Sequence, residues 1–199
     1  MADVMYEKTN DPTPAQIEAA RAYSSESGFF HLACQADHSM ALVEFGPFQS
    51  FCQSGKLLAL KQAASSCFPL TADALVYSGH GNGVGVVGGL GHSGISYFKQ
   101  MTWRYRGFTS TTSRKDKAEH FVATRAKVSA DVPVFLEFRL PTGFFLFPME
   151  TLGSDRTDEA EFLLPPQSSF KIIEASRIPI GRVRDVVHFV LVPSSRRQP

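Results

Sequence analysis

The first seventy residues carry apolar side chains at helical spacing and predict two helices. The first helix begins at Pro14, because proline suits the first helical position and Thr13 and Gln16 have capping-box spacing. The second runs from about Pro47 to Ser66, although Gly55 interrupts it. We expect both helices to cover a sheet; the alternative is that they form part of a surface that grips a macromolecular target. The expected buried side of the second helix comprises Phe48, Phe51, Leu58, Leu60, Ala63 and Ala64.

Beyond this helical region, the apolar residues occur in short runs that predict strands. Glu161 to Leu164 is one such run and ends at a pair of prolines. Val132 to Leu140 is a buried run whose outer positions become polar towards its end. A helix from Ser113 to Ala123, with Ser113 as its N-cap, interrupts the strands. The other predicted strands are a short one that begins at Ala74, then 101–106 and 186–192, of which the last closes the sheet.

Two carboxylates stand one residue apart at the start of the 161–164 run. In a strand, the period of two places Glu159 and Glu161 on one face, looking into the same space. Such a pair can divide catalytic work, because one carboxylate can stabilise positive charge while the other positions or deprotonates a nucleophile. The alternative is a solvated edge strand with two exposed glutamates.

Two motifs occur in order along the chain: GFTSTTS at 107–113 and EAEFLLP at 159–165, followed by Phe170-Lys171-Ile172. Together they resemble the arginine-serine-glutamate class of mono-ADP-ribosyltransferases. In that family an aromatic, one further residue and Ser-Thr-Ser precede a Glu-x-Glu joined to an apolar-Leu-Pro segment. The resemblance covers roughly Leu75 to Ile173 and implies an α+β fold, with two packed β-sheets around an NAD cleft and an N-terminal helical layer.

The resemblance also implies a division of the chain and a set of site residues. Residues 1–70 would be a helical extension packed on a catalytic core at 71–193, with a tail at 194–199, all in one compact domain. Glu161, held by Ser110, would stabilise the oxocarbenium ion formed from NAD, and Glu159 would align or deprotonate the acceptor. The residues expected to contact NAD, as the substrate, are Ser78, Gly79, Thr111, Thr112, Phe121, which would stack on the nicotinamide, and Arg125.

The resemblance departs from the family at one position. Members carry a strand ending in aromatic-Arg-Gly, whose arginine holds the dinucleotide phosphates, and the matching residues here are Tyr77-Ser78-Gly79. A neutral hydroxyl thus replaces a bidentate cation, and charge-assisted hydrogen bonds are roughly twice as strong as neutral ones. A naturally degenerate site, an inactivating substitution, or compensation by another arginine would each fit, and we favour the inactivating substitution. The candidates for compensation are Arg104, Arg106 and Arg125.

The glycine-rich segment after the first strand suggests two alternative kinds of nucleotide site. Residues 83–88, GVGVVG, satisfy the Gly-x-Gly-x-x-Gly pattern of a Rossmann fold, but further glycines occupy the place of its helix, at roughly 1 kcal/mol each. A glycine-rich loop lying against a ligand remains compatible with the pattern. His80-Gly81 and Tyr97-Phe98 are also similar to the branch of the superfamily that uses histidine, tyrosine and glutamate, but the serine and glutamate motifs argue against that branch.

The composition mainly indicates which classes of binding partner to exclude. A formal net charge of +1 across 199 residues predicts neither nucleic-acid nor membrane binding. No signal peptide or transmembrane run is evident. The three cysteines have no zinc spacing and predict reduced packing thiols. His31, Asp37 and His38 match no metal motif, so we expect no metal.

The resemblance, with these features, predicts a monomeric bacterial toxin or virulence effector. It would be delivered without a cleavable signal peptide into the cytosol of a host or competitor cell, where it would modify a target protein. The expected activity is transfer of ADP-ribose from NAD to a side chain, with arginine favoured because an acid stands at Glu159. The alternatives are a catalytically dead binding module, favoured by Ser78, and an NAD glycohydrolase that uses water as the acceptor.

Overall fold

The computed structural model describes residues 4–25, 53–80, 95–99, 101–104, 107–125, 132–149 and 160–194. It contains helices α1 (Pro14–Ser25), α2 (Lys56–Ser66) and α3 (Lys115–Arg125), and a 3₁₀ turn at Ile95–Phe98. The strands are β1 (Ala74–His80), β2 (Thr102–Arg104), β3 (Thr109–Thr112), β4 (Val134–Leu140), β5 (Phe147–Pro148), β6 (Glu161–Leu164), β7 (Ser169–Ile180) and β8 (Val183–Pro193).

The eight described strands form one mixed sheet in the order β2-β7-β8-β4-β1-β3-β6-β5. Every pair is antiparallel except β4 with β8. The α+β class is therefore confirmed. The resemblance implied two packed sheets. The described strands instead form one continuous sheet, because β1 and β3 are paired at Tyr77 and Thr112. Both described neighbours of β1 run antiparallel to it, which excludes the parallel first strand of a Rossmann fold.

The N-terminal helices form a layer on one part of the sheet. The predicted capping box is present, since Gln16 N donates to Thr13 Oγ1 (3.3 Å) and Thr13 N donates to Gln16 Oε1 (2.8 Å). Helix α2 begins directly after Gly55, which has a φ of 76°, and residues 47–52 lie outside the described part. The buried core shared by this layer and the sheet includes Tyr23, Leu60, Ala63, Phe108, Phe147 and Leu163.

One expectation for α2 is wrong. Leu58 is 61% exposed, although the sequence placed it on the buried side. The buried stripe is Leu60, Ala63 and Ala64, at the i, i+3, i+4 spacing, and Leu58 lies on the opposite face because two residues turn a helix by about 200°.

Helix α3 packs directly on β1 and begins at Lys115, one residue later than an N-cap at Ser113 predicts. Thr112 Oγ1 accepts a hydrogen bond from Arg114 N (3.0 Å). The hydroxyl that fixes the backbone before this helix therefore belongs to Thr112. A core cluster lies between helix and sheet and comprises Tyr77, Ala118, Val122, Phe135, Ile180 and Val186.

The longest strands are β7 and β8, which pair along most of their length as a hairpin. The sequence predicted strand structure only for 186–192 in this region. No helix among the described residues is long and apolar enough to cross a membrane. Of the three cysteines, Cys67 is described; it is free and buried, and burial raises the pKa of its thiol. A poorly ionised thiol agrees with a packing role.

Candidate active site

The sheet order brings together three residues that are far apart in the sequence. Strands β1, β3 and β6 are neighbours, and they carry Ser78, Ser110 and Glu161 respectively. Ser110 lies 32 residues from Ser78 and 51 from Glu161. Hydrogen bonds join all three positions, so the two motifs of the sequence meet at one place.

The contact between Ser110 and Glu161 is the central interaction of this site. Ser110 Oγ donates to Glu161 Oε1 over 2.5 Å, which is the short distance expected for a hydroxyl bonded to a carboxylate. Glu161 is only 8% exposed. The solvated edge-strand interpretation is therefore wrong for Glu161, since β6 lies between β3 and β5 and its carboxylate is buried and held.

The backbone has a positive φ immediately before Glu161. Ala160 has a φ of 44°, in the left-handed region that costs an alanine roughly 1 kcal/mol. Its carbonyl accepts a hydrogen bond from Ser113 N at 3.3 Å, and β6 begins only at Glu161. The period-of-two argument that placed Glu159 on the same face as Glu161 therefore does not apply, because the backbone is not extended at Ala160. Glu159 itself lies outside the described residues.

Ser78 is buried within the sheet and its hydroxyl has two partners. Its Oγ donates to the Ser110 carbonyl oxygen at 2.9 Å and lies 3.1 Å from His80 Nε2. Only 7% of Ser78 is exposed. Ser78, which the resemblance matches to the family's arginine, thus links β1 to the strand that carries Ser110.

The two threonines of the serine motif are also engaged. Thr111 is buried and its Oγ1 donates to the Phe162 carbonyl oxygen (3.0 Å), which reinforces the pairing of β3 with β6. Thr112 is 7% exposed and is paired with Tyr77 and Glu161 in the sheet register. These bonds brace the strand around Ser110, and a direct contact of either threonine with NAD remains a prediction.

The remaining expected NAD contacts lie on or under α3. Gly79 meets this helix closely: a Cβ at this position would collide with the Ala118 carbonyl oxygen and touch Val122. Phe121 is half-buried on α3, one turn beyond Lys117. Arg125 is the last residue of the helix, but its side chain lies outside the described part. The whole of Arg106 lies outside it. Arg104 is exposed on β2, four strand spacings from β1 or roughly 19 Å along the sheet.

His80 contacts Ser78 in this site, although the arginine-serine-glutamate motifs do not include it. It ends β1 and lies two residues after Ser78, so the period of two places both side chains on one face of the strand. That spacing was the signal available in the sequence. The Tyr97 side chain, which the histidine-tyrosine-glutamate branch requires, lies outside the described part.

A second group of charged residues lies on the α3 side of the sheet. His188 Nε2 is 3.8 Å from Glu137 Oε2, and Arg139 joins Glu137 to Glu174. Burial lowers the pKa of His188, and the Glu137 carboxylate partly offsets that effect. His188 Nε2 is buried without a hydrogen-bond partner, and the ring packs against Phe135, with ring centroids 5.6 Å apart.

Metal ligands do not converge in the described part of the chain, where no group of three or more His, Cys, Asp or Glu side chains could hold an ion. His31, Asp37 and His38 lie outside it, as does the glycine-rich segment 81–94. The described site therefore consists of a buried carboxylate, hydroxyl groups and one imidazole.

Comparison with known proteins places this geometry in a known fold. No protein-family profile matches the chain, and no curated protein matches it in sequence. The solved structures that are similar to the chain in fold include the following three. Plx2a, an ADP-ribosyltransferase toxin from Paenibacillus larvae, is 16% identical over 92% of this chain and 87% of its own, with a TM-score of 0.66. The C3 exoenzyme of Clostridium limosum is 12% identical over 93% and 87%, with a TM-score of 0.64.

The third is the ADP-ribosyltransferase Vis from Vibrio splendidus, solved in complex with agmatine. It is 17% identical over 96% of this chain and 79% of its own, with a TM-score of 0.63. The chain therefore has the ADP-ribosyltransferase fold of bacterial toxins, as the sequence motifs implied.

Proposed function

We propose that this chain is a mono-ADP-ribosyltransferase of the bacterial toxin type, which moves ADP-ribose from NAD to a side chain of a target protein. The observation that carries the proposal is the bond from Ser110 Oγ to Glu161 Oε1, formed by the two motifs in the ADP-ribosyltransferase fold. A buried carboxylate fixed by a neutral donor keeps a directed negative charge where a cationic transition state needs it.

The reaction breaks the bond between ribose C1′ and the nicotinamide nitrogen. Its electron pair goes to the nicotinamide ring, and C1′ becomes oxocarbenium-like. Glu161 stabilises that cation and orients the ribose 2′-hydroxyl, while Ser110 prevents the carboxylate from rotating. An acceptor nitrogen then forms the new bond to C1′ and gives up one proton, so nicotinamide and a proton are released.

Arginine is the favoured acceptor. An acid at Glu159 can accept a hydrogen bond or a proton from a guanidinium, and Vis, one of the similar structures, was solved with agmatine, a guanidine compound. Phe121 and Arg125 on α3 would meet the nicotinamide and the phosphates, and Thr111 and Thr112 would line the floor of the cleft. In this scheme residues 1–70 form the helical extension and 71–193 the catalytic core, acting as a monomer on a protein in a target-cell cytosol.

Ser78 favours a second candidate, a weakly active or inactive module that binds its target. Its hydroxyl is buried and used within the protein, and Arg104 is remote, so the described residues supply no cation at the arginine position. Loss of one charge-assisted phosphate contact would weaken NAD binding by roughly tenfold to hundredfold.

Transfer of labelled ADP-ribose from NAD into proteins of a cell lysate tests both candidates. The chain is compared with Ser78→Arg and with Ser78→Arg/Glu161→Ala, and free nicotinamide is measured in parallel. Label that increases with Ser78→Arg and disappears with Glu161→Ala supports the transferase. Nicotinamide release without labelled protein identifies a glycohydrolase. Absence of both products from every variant contradicts the proposed activity and leaves the binding module.

A further inference from the structure

The hydroxyl of Ser78 has one hydrogen and two close partners. The Ser110 carbonyl oxygen, 2.9 Å away, can only accept, so the Ser78 hydrogen must point towards it. The oxygen of Ser78 is then left as an acceptor for its second partner, His80 Nε2 at 3.1 Å. The proton on this second bond must therefore come from the imidazole.

We infer that His80 is a positioning residue of the candidate site, with its proton on Nε2, and that it holds Ser110 in place through Ser78. The relay runs from His80 Nε2–H to Ser78 Oγ–H to the Ser110 carbonyl, while the Ser110 hydroxyl donates separately to Glu161. Ser110 is thus fixed through both its backbone and its side chain. The functional meaning of this relay rests on the proposed transferase activity, but its existence does not.

The relay couples residue 80 to the identity of residue 78. A guanidinium at position 78 could still donate to the Ser110 carbonyl, but it has no acceptor for the His80 Nε2–H. Serine at 78 and histidine at 80 therefore form a matched pair in which each supplies what the other needs. Ser78 therefore links β1 to β3, and the Ser78–His80 pair stabilises β3 without a contact to phosphate.

The tautomer of His80 provides a test that needs no activity. A proton–nitrogen correlation spectrum of isotope-labelled histidines is recorded for the full chain, and His80→Gln identifies the His80 signal among the six histidines. We expect a proton on Nε2 that exchanges slowly with water and that becomes fast-exchanging in Ser78→Ala. A neutral ring with its proton on Nδ1, or an Nε2 proton that Ser78→Ala leaves unchanged, would overturn the relay.

Hydrogen exchange and kinetics test the positioning role. His80→Leu removes the donor and should lower both the amide protection of 109–112 and the kcat of nicotinamide release, by roughly three- to tenfold, with KM unchanged. His80→Gln restores a donor and should recover most of both. His120→Leu, which removes an exposed histidine from α3, is the matched control and should change neither.

Equal values for His80→Leu and the parent chain in exchange and kcat would contradict the positioning role. If neither the parent nor Ser78→Arg releases nicotinamide, the proposed activity fails while the tautomer and exchange measurements still decide the relay. If His80→Leu does not fold, Ser78→Ala breaks the same link from its other end and takes its place in the exchange experiment.

Discussion

Gly79 of β1 lies against the Ala118 carbonyl oxygen of α3 with no room for a side chain between them. A Cβ built on Gly79 would lie well under 3.0 Å from the Ala118 carbonyl oxygen, which is closer than real Cβ atoms approach other atoms. That oxygen belongs to the backbone, so it cannot rotate away as a side chain could. The glycine that follows Ser78 is therefore required for helix α3 to pack on β1. This contact sets the position of Phe121 and the other residues of α3 relative to Ser78.

Replacement of Gly79 by alanine should destabilise the fold. We expect Gly79→Ala to lower the free energy of unfolding by about 1–3 kcal/mol, because the helix must move away from the strand. Urea denaturation followed by circular dichroism measures the change. Gly143→Ala is the comparison, since Gly143 has open space around it but a φ of 82°, and its cost of roughly 1 kcal/mol comes from backbone conformation alone. An unchanged midpoint for Gly79→Ala would disprove the close contact.

Removal of the Ser110 hydroxyl should impair catalysis more than folding. Ser110→Ala leaves the backbone link to Ser78 intact but takes away the donor to Glu161, and we expect kcat for nicotinamide release to fall roughly tenfold to hundredfold. If the parent chain is too slow to measure, both variants are compared in the Ser78→Arg background. Ser169→Ala is the matched control, because this serine lies on β7 and its hydroxyl donates to the exposed Ser194 hydroxyl. Equal rates for the two variants would argue against the role given to Ser110.

The left-handed backbone at Ala160 predicts an unusual response to glycine. Ala160→Gly should stabilise the fold by about 1 kcal/mol, because glycine adopts a positive φ without steric cost, and Ala160→Val should destabilise it. Differential scanning calorimetry measures both. Gln167, with a φ of 65°, is the comparison, since Gln167→Gly relieves the same backbone cost away from the Ser110–Glu161 pair. A loss of stability on Ala160→Gly would mean that the backbone at this position is not left-handed in solution.

Acid should destabilise the protein through His188. Burial holds the pKa of this imidazole below that of an unfolded histidine, so the unfolded chain binds the proton first as the pH falls. The stabilising effect is complete above the unfolded value near 6.5 and is lost as the pH falls from there towards the folded pKa. The neighbouring charges are Glu137 and Glu174, which oppose the shift, and Lys115 and Arg139, which support it.

Urea unfolding between pH 5 and 8 tests this dependence. His188→Phe keeps a ring against Phe135 and should flatten the decline of stability below the unfolded histidine pKa. Glu137→Gln removes the carboxylate that raises the His188 pKa and should make the decline extend to lower pH. Identical pH profiles for the parent and His188→Phe would contradict the assignment of the decline to His188.

Local signals in the sequence predicted several elements accurately. Thr13 and Gln16 specify their capping box within four residues, and Glu161 to Leu164 is bounded by the prolines that follow it. The prediction failed where an exposed face or an irregular backbone decided the outcome. Leu58 is apolar yet exposed, and Ala160 has a positive φ directly before β6, because neither residue type reveals a helix phase or a positive φ by itself; the placement of Glu159 stays a prediction.

The sequence by itself determined which residues of the two motifs meet, since the resemblance predicted that Ser110 holds Glu161 and the structure joins them by a hydrogen bond. Only the tertiary structure decided how Ser78 is used. Whether a serine hydroxyl faces a ligand or a neighbouring strand depends on which strands lie side by side, and that order is set by burial over the whole sheet. The pairing of β1 with β3 places the Ser110 carbonyl within reach of the Ser78 hydroxyl, a relationship between residues 32 positions apart that no local pattern contains.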